Sequence, residues 1–182
     1  MVSKTFISLA VMAILVQVVH PTGARAASEG VGIPPETVAD YIHAVIEADR
    51  TVYTVHVVER MQKKGKVAAS EDWRVSDTLP LPAQFLKESG ELAALTGTRV
   101  RYRLIGLWPI NPQNAATTDF ERKGLDDVQA NPERPYAGVI MSGAQKYFQA
   151  IYADRAVTQA CVGCHNAHPR SPKRDFKAND VM

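Results

Sequence analysis

Residues 36–62 read ETVADYIHAVIEADRTVYTVHVVERMQ, and their apolar side chains recur with the period of a helix. At 100° per residue, one stripe collects Val38, Tyr41, Val45, Ala48, Val52, Val55 and His56. The far side collects His43, Arg50, Thr54 and Met61. Two prolines precede the pattern, and two lysines and a glycine follow it, as is typical of helix ends. The pattern therefore predicts one long helix whose apolar stripe, including His56, faces the core.

The segments after this helix predict an α+β fold. The prediction consists of a helix over 83–96 interrupted at Gly90, a strand over 98–108, one or two helical turns over 124–130, a hairpin of 137–141 with 145–152 around Ser142-Gly143, and a short helix capped by Asp154. A small antiparallel sheet would thus lie with a long N-terminal helix and a short C-terminal helix.

The N-terminus has the features of an export signal. Lys4 precedes an apolar run over 6–19, which is shorter than the ~20 residues that a membrane-spanning helix needs. Ala24-Arg25-Ala26 has the small-x-small form of a cleavage site. We expect a signal peptide over 1–26, a leader over 27–35 and a mature domain over 36–182; the alternative is an uncleaved anchor. Both place the domain outside the cytoplasm, in a bacterial periplasm, and after cleavage we expect no stable membrane insertion.

Composition excludes several classes of protein. The 182 residues are 46% hydrophobic and 22% charged, which is typical of a globular domain and excludes wholesale disorder, a collagen and a polytopic membrane protein. Without the signal, 19 basic residues face 19 acidic ones. A neutral protein is a poor nucleic-acid binder, so we expect no nucleic-acid partner.

The chemistry of the chain is concentrated in Cys161-Val162-Gly163-Cys164-His165. C-x-x-C-H is the attachment signature of a c-type haem. Two thiols three positions apart lie on one side of a helical turn and can add to the two vinyl groups on one edge of the porphyrin. The adjacent His165 then points its imidazole at the iron. We expect one covalent haem c held by Cys161, Cys164 and His165, and its attachment outside the cytoplasm agrees with the export signal.

Three other uses of the two cysteines compete with haem. A thioredoxin-like redox pair also uses C-x-x-C, but that motif usually opens a helix near the start of a domain. Cys161, Cys164, His165 and His168 could form a zinc site, although structural zinc sites usually separate their ligand pairs by a longer loop. A plain disulfide would be strained at this spacing. The motif favours haem over all three.

The sixth iron ligand is less tightly specified. His56 lies on the predicted apolar stripe, so we expect it to point inward and to be the sixth ligand. Met141 on the predicted hairpin and an open or water-occupied position are the alternatives. His168 is too close to His165 in sequence to reach the opposite face of the same haem.

Several blocks of the sequence resemble one bacterial family. They are Leu79 to Phe85 (LPLPAQF), Leu107 to Asn111 (LWPIN), Tyr147-Phe148 and Cys161 to Asp180 (CVGCHNAHPRSPKRDFKAND). Together they are similar to the single-haem c-type cytochrome domain with a PAS-like fold, also called Tll-like. The similarity extends over most of residues 36–182.

This resemblance implies a PAS-like sheet flanked by helices and a haem attached through the cysteines of the motif. Domains of this family occur alone and as periplasmic sensory parts of signalling proteins. Members usually continue with glycines and a further strand after the position of Asp180-Val181. The resemblance therefore implies that the C-terminus is truncated or lacks its last strand.

Three functions follow from a single c-type haem. We expect single-electron transfer or redox sensing with a redox or signalling partner protein. The alternative is a haem-based sensor that binds a diatomic gas and signals to a partner. A peroxidase would need a distal acid–base pair, which the sequence does not display, so we expect no enzymatic activity. The sequence leaves the oligomeric state open.

Overall fold

The computed structural model describes residues 32–182, and the predicted signal peptide lies outside them. The elements in chain order are α1 (Pro35–Val52), a π-helical segment (Tyr53–Glu59), α2 (Arg60–Lys63), β1 (Ala69–Ser70), β2 (Leu79–Pro80), α3 (Pro82–Leu95), a 3₁₀ turn (Pro112–Asn114), α4 (Asp119–Ala130), β3 (Tyr136–Ser142), β4 (Gln145–Ile151) and α5 (Gln159–Ala167). The protein is therefore a mixed α and β chain with a long N-terminal helix and little sheet, as predicted. Among the described helices, none is long and apolar enough to cross a membrane.

The long predicted helix is confirmed, but the face that it buries is not the predicted one. Arg50, Thr54 and Val58 are buried, whereas Val45 is 61% and Val52 is 54% exposed. A helical pattern reveals that one face differs from the other, and it does not reveal which face the neighbouring elements cover. Here the neighbours offer polar partners, so the polar face packs inward.

A wide π-helical turn interrupts this helix over Tyr53–Glu59. The hydroxyl of Thr54 donates to the carbonyl of Arg50 at 2.7 Å, a side-chain bond that competes with the backbone ladder. Tyr53 anchors the wide turn because its hydroxyl donates to the Pro80 carbonyl at 2.7 Å and its ring stacks on Phe85. The turn is thus held against β2 and α3.

Two predictions between residues 83 and 108 are wrong. Helix α3 runs without interruption through Gly90, which is buried. The segment over 98–108 belongs to no strand. A Cβ atom at Gly90 would lie 2.8 Å from the Tyr102 carbonyl oxygen, so the glycine allows this segment to pack closely against α3.

Within residues 32–182, the strands form two separate two-stranded pairs. The predicted hairpin is confirmed, with β3 and β4 antiparallel from Tyr136↔Ile151 to Ser142↔Gln145 and Gly143 at φ +60° in the turn. β1 and β2 form a short parallel pair. The core lies between the hairpin, α4 and the segment over 98–108. Its buried centre is Leu125, Val128 and Ile151. The partly buried side chains packed against this centre are Ile105, Leu107, Ala116, Phe120, Tyr136 and Ala153.

Helix α4 begins earlier than predicted, at Asp119 rather than at 124. Thr118 accepts from the Glu121 amide at 3.1 Å, and the Glu121 carboxylate accepts from the Thr118 amide at 3.3 Å. This capping box was readable as Thr-x-x-Glu in the sequence.

The last helix also begins elsewhere. Thr158 precedes α5, while the predicted cap, Asp154, binds Arg50 instead at 2.8 Å. The end of the chain folds back on this region: Ala156 donates to the Asp180 carbonyl and Val181 forms an antiparallel bridge with Arg155.

Candidate functional site

Helix α5 carries the whole C-x-x-C-H motif. Cys161 and His165 are half-buried, and Cys164 is exposed. Thr158, which precedes the helix, has its hydroxyl 3.6 Å from the Cys161 sulfur. Cys164 and His165 follow Cys161 by three and four positions, so the two sulfurs and the imidazole lie on one face of the helix, on neighbouring turns.

An aromatic wall stands beside the imidazole of His165. Phe176 is buried, and its ring meets the His165 ring edge-on, with centroids 5.6 Å apart. Trp108 also meets Phe176 edge-on, at 5.9 Å. The Lys173 ammonium lies 5.2 Å from the Trp108 centroid and 5.0 Å from that of Phe176, within cation–π range. The same ammonium is paired with the Asp175 carboxylate, so the site combines an apolar wall with an ion pair.

Asn166 fixes this wall to the motif helix. Its Nδ2 donates to the Phe176 carbonyl at 2.9 Å, and its Oδ1 accepts from the Phe176 amide at 3.0 Å. Both backbone groups of a buried residue are thus satisfied by the side chain that follows His165. The spacing of Phe176 and His165 depends on this clamp.

His165 has the properties of a neutral ligand. Burial lowers the pKa of its imidazole, and the nearby Arg50 guanidinium and His168 lower it further. A neutral imidazole keeps a lone pair on one nitrogen, which is the form that binds metals. Its Nδ1 atom is buried with no hydrogen-bond partner among the described residues.

The two sulfurs of the motif are not linked to each other, since both cysteines are free. Although Cys164 is an exposed residue, desolvation of its sulfur raises the pKa of its thiol, and Glu71 and Cys161 raise it further. In the part of the chain that the structure describes, no three His, Cys, Asp or Glu side chains are grouped to hold a metal ion.

His168 is occupied in a structural network. Its Nδ1 accepts from the Arg170 amide at 3.1 Å, and its Nε2 lies 3.4 Å from Glu71. Arg170 binds both oxygens of Glu71 at 2.9 Å. This network ties the segment after the motif to the loop that precedes β2.

The two sequence-predicted candidates for the sixth ligand are both exposed. His56 is exposed and lies on the face of the helix opposite to the buried Thr54 and Val58. The prediction that its side chain points into the core is wrong, because the other face of the helix is the one that packs against the domain. Met141 on β3 is 60% exposed.

An ion pair between the buried Arg50 and the half-buried Asp154, near the motif, was missed by sequence reasoning. Arg50 is 9% exposed and binds Asp154 at 2.8 Å, and its Nε atom is buried without a partner among residues 32–182. Arg50 was placed on the outer face of the helix because polar side chains usually face solvent. No local signal in the sequence marks it as buried.

Comparison with known proteins identifies the family. The family model described as Tll0287-like matches residues 34–182. The chain belongs to the Tll0287-like family. The match covers every helix and strand of the domain from α1 onward. No curated protein and no solved structure matches the chain.

Proposed function

We propose that this protein of the Tll0287-like family is a periplasmic c-type haem protein that acts in single-electron transfer or redox sensing. One haem would be held covalently by Cys161 and Cys164 and ligated by His165. The observation that carries this proposal is the position of all three side chains on one helix, with free thiols and a half-buried imidazole beside an aromatic wall.

The residues present fit a haem. The orphaned Nδ1 and the lowered pKa of His165 leave a neutral imidazole in an apolar surrounding, as iron coordination requires. Trp108, which is half-buried and packs edge-on against the buried Phe176, offers apolar surface, and Lys173, which is paired with Asp175, would exchange that partner for an acidic group of the haem.

Each thiol would add across one vinyl group, its sulfur bonding one carbon and its hydrogen passing to the other. This addition needs no oxidant. The haem iron, when bound, supplies a centre that gains or loses one electron. Asn166 would then hold Phe176 against the imidazole, and Arg50 would keep a positive charge near it, which opposes protonation of His165.

A PAS-like arrangement and a protein partner belong to the same proposal. Membership in the family supports both, together with a hairpin that packs against helix α4. Redox sensing would require a partner protein that responds to the oxidation state of the domain. Export to the periplasm is supported by the sequence of residues 1–26.

The second candidate function is a sensor that binds a diatomic gas. It is favoured by the exposure of His56 and Met141. If neither reaches the iron, the sixth position would be open or held by a weak ligand, as gas binding requires.

Absorption spectroscopy tests the proposal. The chain is exported together with a haem-maturation system and its spectrum is recorded oxidised, reduced and with carbon monoxide. We expect a haem spectrum that His165→Ala changes while the haem stays attached. The matched control is His168→Ala, three positions away on the same segment, which we expect to leave the spectrum unchanged.

Carbon monoxide separates the two candidate functions. A low-spin spectrum that the gas does not move indicates two tight ligands and supports electron transfer or redox sensing. A shift with the gas indicates an open or displaceable position and supports the sensor. An unchanged spectrum in His165→Ala would refute the assignment of His165.

A further inference from the structure

The outward face of α1 carries a regular seam of apolar side chains. Val38, Tyr41, Val45, Ala48 and Val52 follow one another at spacings of three and four residues. We call these five residues the α1 seam. Val38 is 36% and Tyr41 is 66% exposed, and Val45 and Val52 are exposed to a similar extent. Solvated helix faces are usually polar, so this face lacks the composition of a face meant for water.

The opposite face already anchors the helix to the domain. Asp40 accepts a hydrogen bond from the Tyr152 hydroxyl at 2.7 Å, His43 stacks on the Tyr152 ring at 3.9 Å, and Arg50 binds Asp154. The side chains that hold α1 against the domain therefore do not belong to the α1 seam. Its helix is fixed through other side chains, and the seam remains available for an additional contact.

The spacing of the seam identifies the occupant. Alternating steps of three and four residues place valine at each a position, 38, 45 and 52, and Tyr41 and Ala48 at the d positions of two heptads. Such a seam is complementary to a copy of itself. Valine at the a positions is half of the pattern that favours a parallel two-helix coiled coil; the other half is leucine at d, where this seam has Tyr41 and Ala48. We propose that α1 pairs with α1 of a second copy of this chain as a short parallel two-helix coiled coil.

The residues beside the seam permit this pairing. Ile42 and Asp49 occupy the e positions, and Ala44 and Thr51 occupy the g positions. In a parallel pair, each g residue faces the e residue of the following heptad in the partner, so Asp49 would face an alanine. No like charges meet across the interface.

The available area is close to what a specific dimer needs. The exposed parts of the seam and of its e and g neighbours amount to on the order of 500 Å² per chain, with the Tyr41 ring as the largest contributor. Two chains would then bury at most on the order of 1,000 Å², at the lower limit of a specific interface. The α-helical geometry ends at Val52, where the π-helical segment begins, so the seam stops there.

Sedimentation velocity of the exported chain tests the proposal, which is independent of the haem. Because dimerisation follows mass action, the protein is measured between about 1 and 300 µM. We expect two chains at the upper end and one chain at every concentration for Val45→Glu. Tyr41→Lys provides a second seam variant, and circular dichroism shows that each remains helical. The matched control is Leu95→Glu, which replaces an 81% exposed leucine at the end of α3 and should leave the dimer intact.

Cysteine cross-linking tests the parallel arrangement. Single cysteines at Val38 and at Val52 should each form a disulfide with the same position of the second copy, against the wild-type chain as background. A wild-type chain that stays monomeric at about 300 µM would overturn the proposal, since the seam would then be covered by another segment or another partner. A dimer that survives Val45→Glu, or that Leu95→Glu also disrupts, would overturn it as well.

Discussion

Replacing Asn166 should disconnect the aromatic wall from the motif helix. Asn166→Ala removes both side-chain hydrogen bonds to the Phe176 backbone, at 2.9 and 3.0 Å. Phe176 is 3% exposed, so water cannot readily replace the lost partners. The Phe176 ring is also the one that meets the His165 imidazole edge-on, so its displacement should alter the surroundings of that imidazole.

The magnitude follows from the two unsatisfied groups. A buried donor or acceptor left without a partner costs about 1–3 kcal/mol, so Asn166→Ala, which leaves two such groups unpaired, should lower the free energy of unfolding by about 2–6 kcal/mol. Asn166→Asp keeps the acceptor for the Phe176 amide but places a carboxylate oxygen against the Phe176 carbonyl, so it should cost about as much. Urea denaturation followed by circular dichroism measures both losses.

Gln159→Ala is the matched control, because Gln159 is exposed on the same helix. It should change the free energy of unfolding by less than about 0.5 kcal/mol. A loss of less than about 0.5 kcal/mol for Asn166→Ala would refute the clamp, since the Phe176 backbone would then be satisfied in another way.

Three further substitutions test other parts of the structure. Burial raises the pKa of Glu121, but hydrogen bonds from Thr117 and Arg103 outweigh it and hold that pKa below its ordinary 4.5. The ionised form therefore stabilises the fold above pH 4.5. Glu121→Gln should lower the free energy of unfolding by about 1–2 kcal/mol at neutral pH and by progressively less as the pH falls below 4.5. Urea titrations at several pH values measure this loss, and a loss that is constant with pH would contradict the prediction. Gly90→Ala should lower the melting temperature, because the new Cβ atom would crowd the Tyr102 carbonyl at a cost of about 1–3 kcal/mol, against a gain in helix propensity of about 1 kcal/mol. A higher melting temperature would show that the Tyr102 backbone can move away from the new methyl group. Arg50→Ala leaves Asp154 without its partner and should cost about 3 kcal/mol, whereas Arg60→Ala at an exposed position should cost almost nothing; equal effects would argue against the buried pair.

Local patterns predicted the elements that depend on local interactions. The long helix and the hairpin around Ser142-Gly143 were found because periodicity and turn chemistry are properties of neighbouring residues. The capping box of Thr118 with Glu121 is of the same kind, and closer reading of the sequence would have placed the start of α4.

Predictions that depend on distant neighbours failed. The outward direction of the Val45 and His56 face could not be read from the helix alone, because it depends on what Tyr152 and Asp154 offer to the opposite face. Gly90 resembled a helix breaker, but it accommodates a segment twelve residues later in the chain. For the site, the motif gave Cys161, Cys164 and His165, whereas the clamp of Asn166 on Phe176 joins residues that no spacing rule relates.

The most direct test of the central proposal is the intact mass of the denatured chain, exported together with a haem-maturation system. We expect the wild-type polypeptide to carry the added mass of one haem under denaturing conditions. The variant with Cys161→Ser and Cys164→Ser should have the mass of the polypeptide alone. A wild-type chain without added mass, obtained while a known c-type cytochrome matures in the same cells, would contradict the proposal that this protein binds haem covalently.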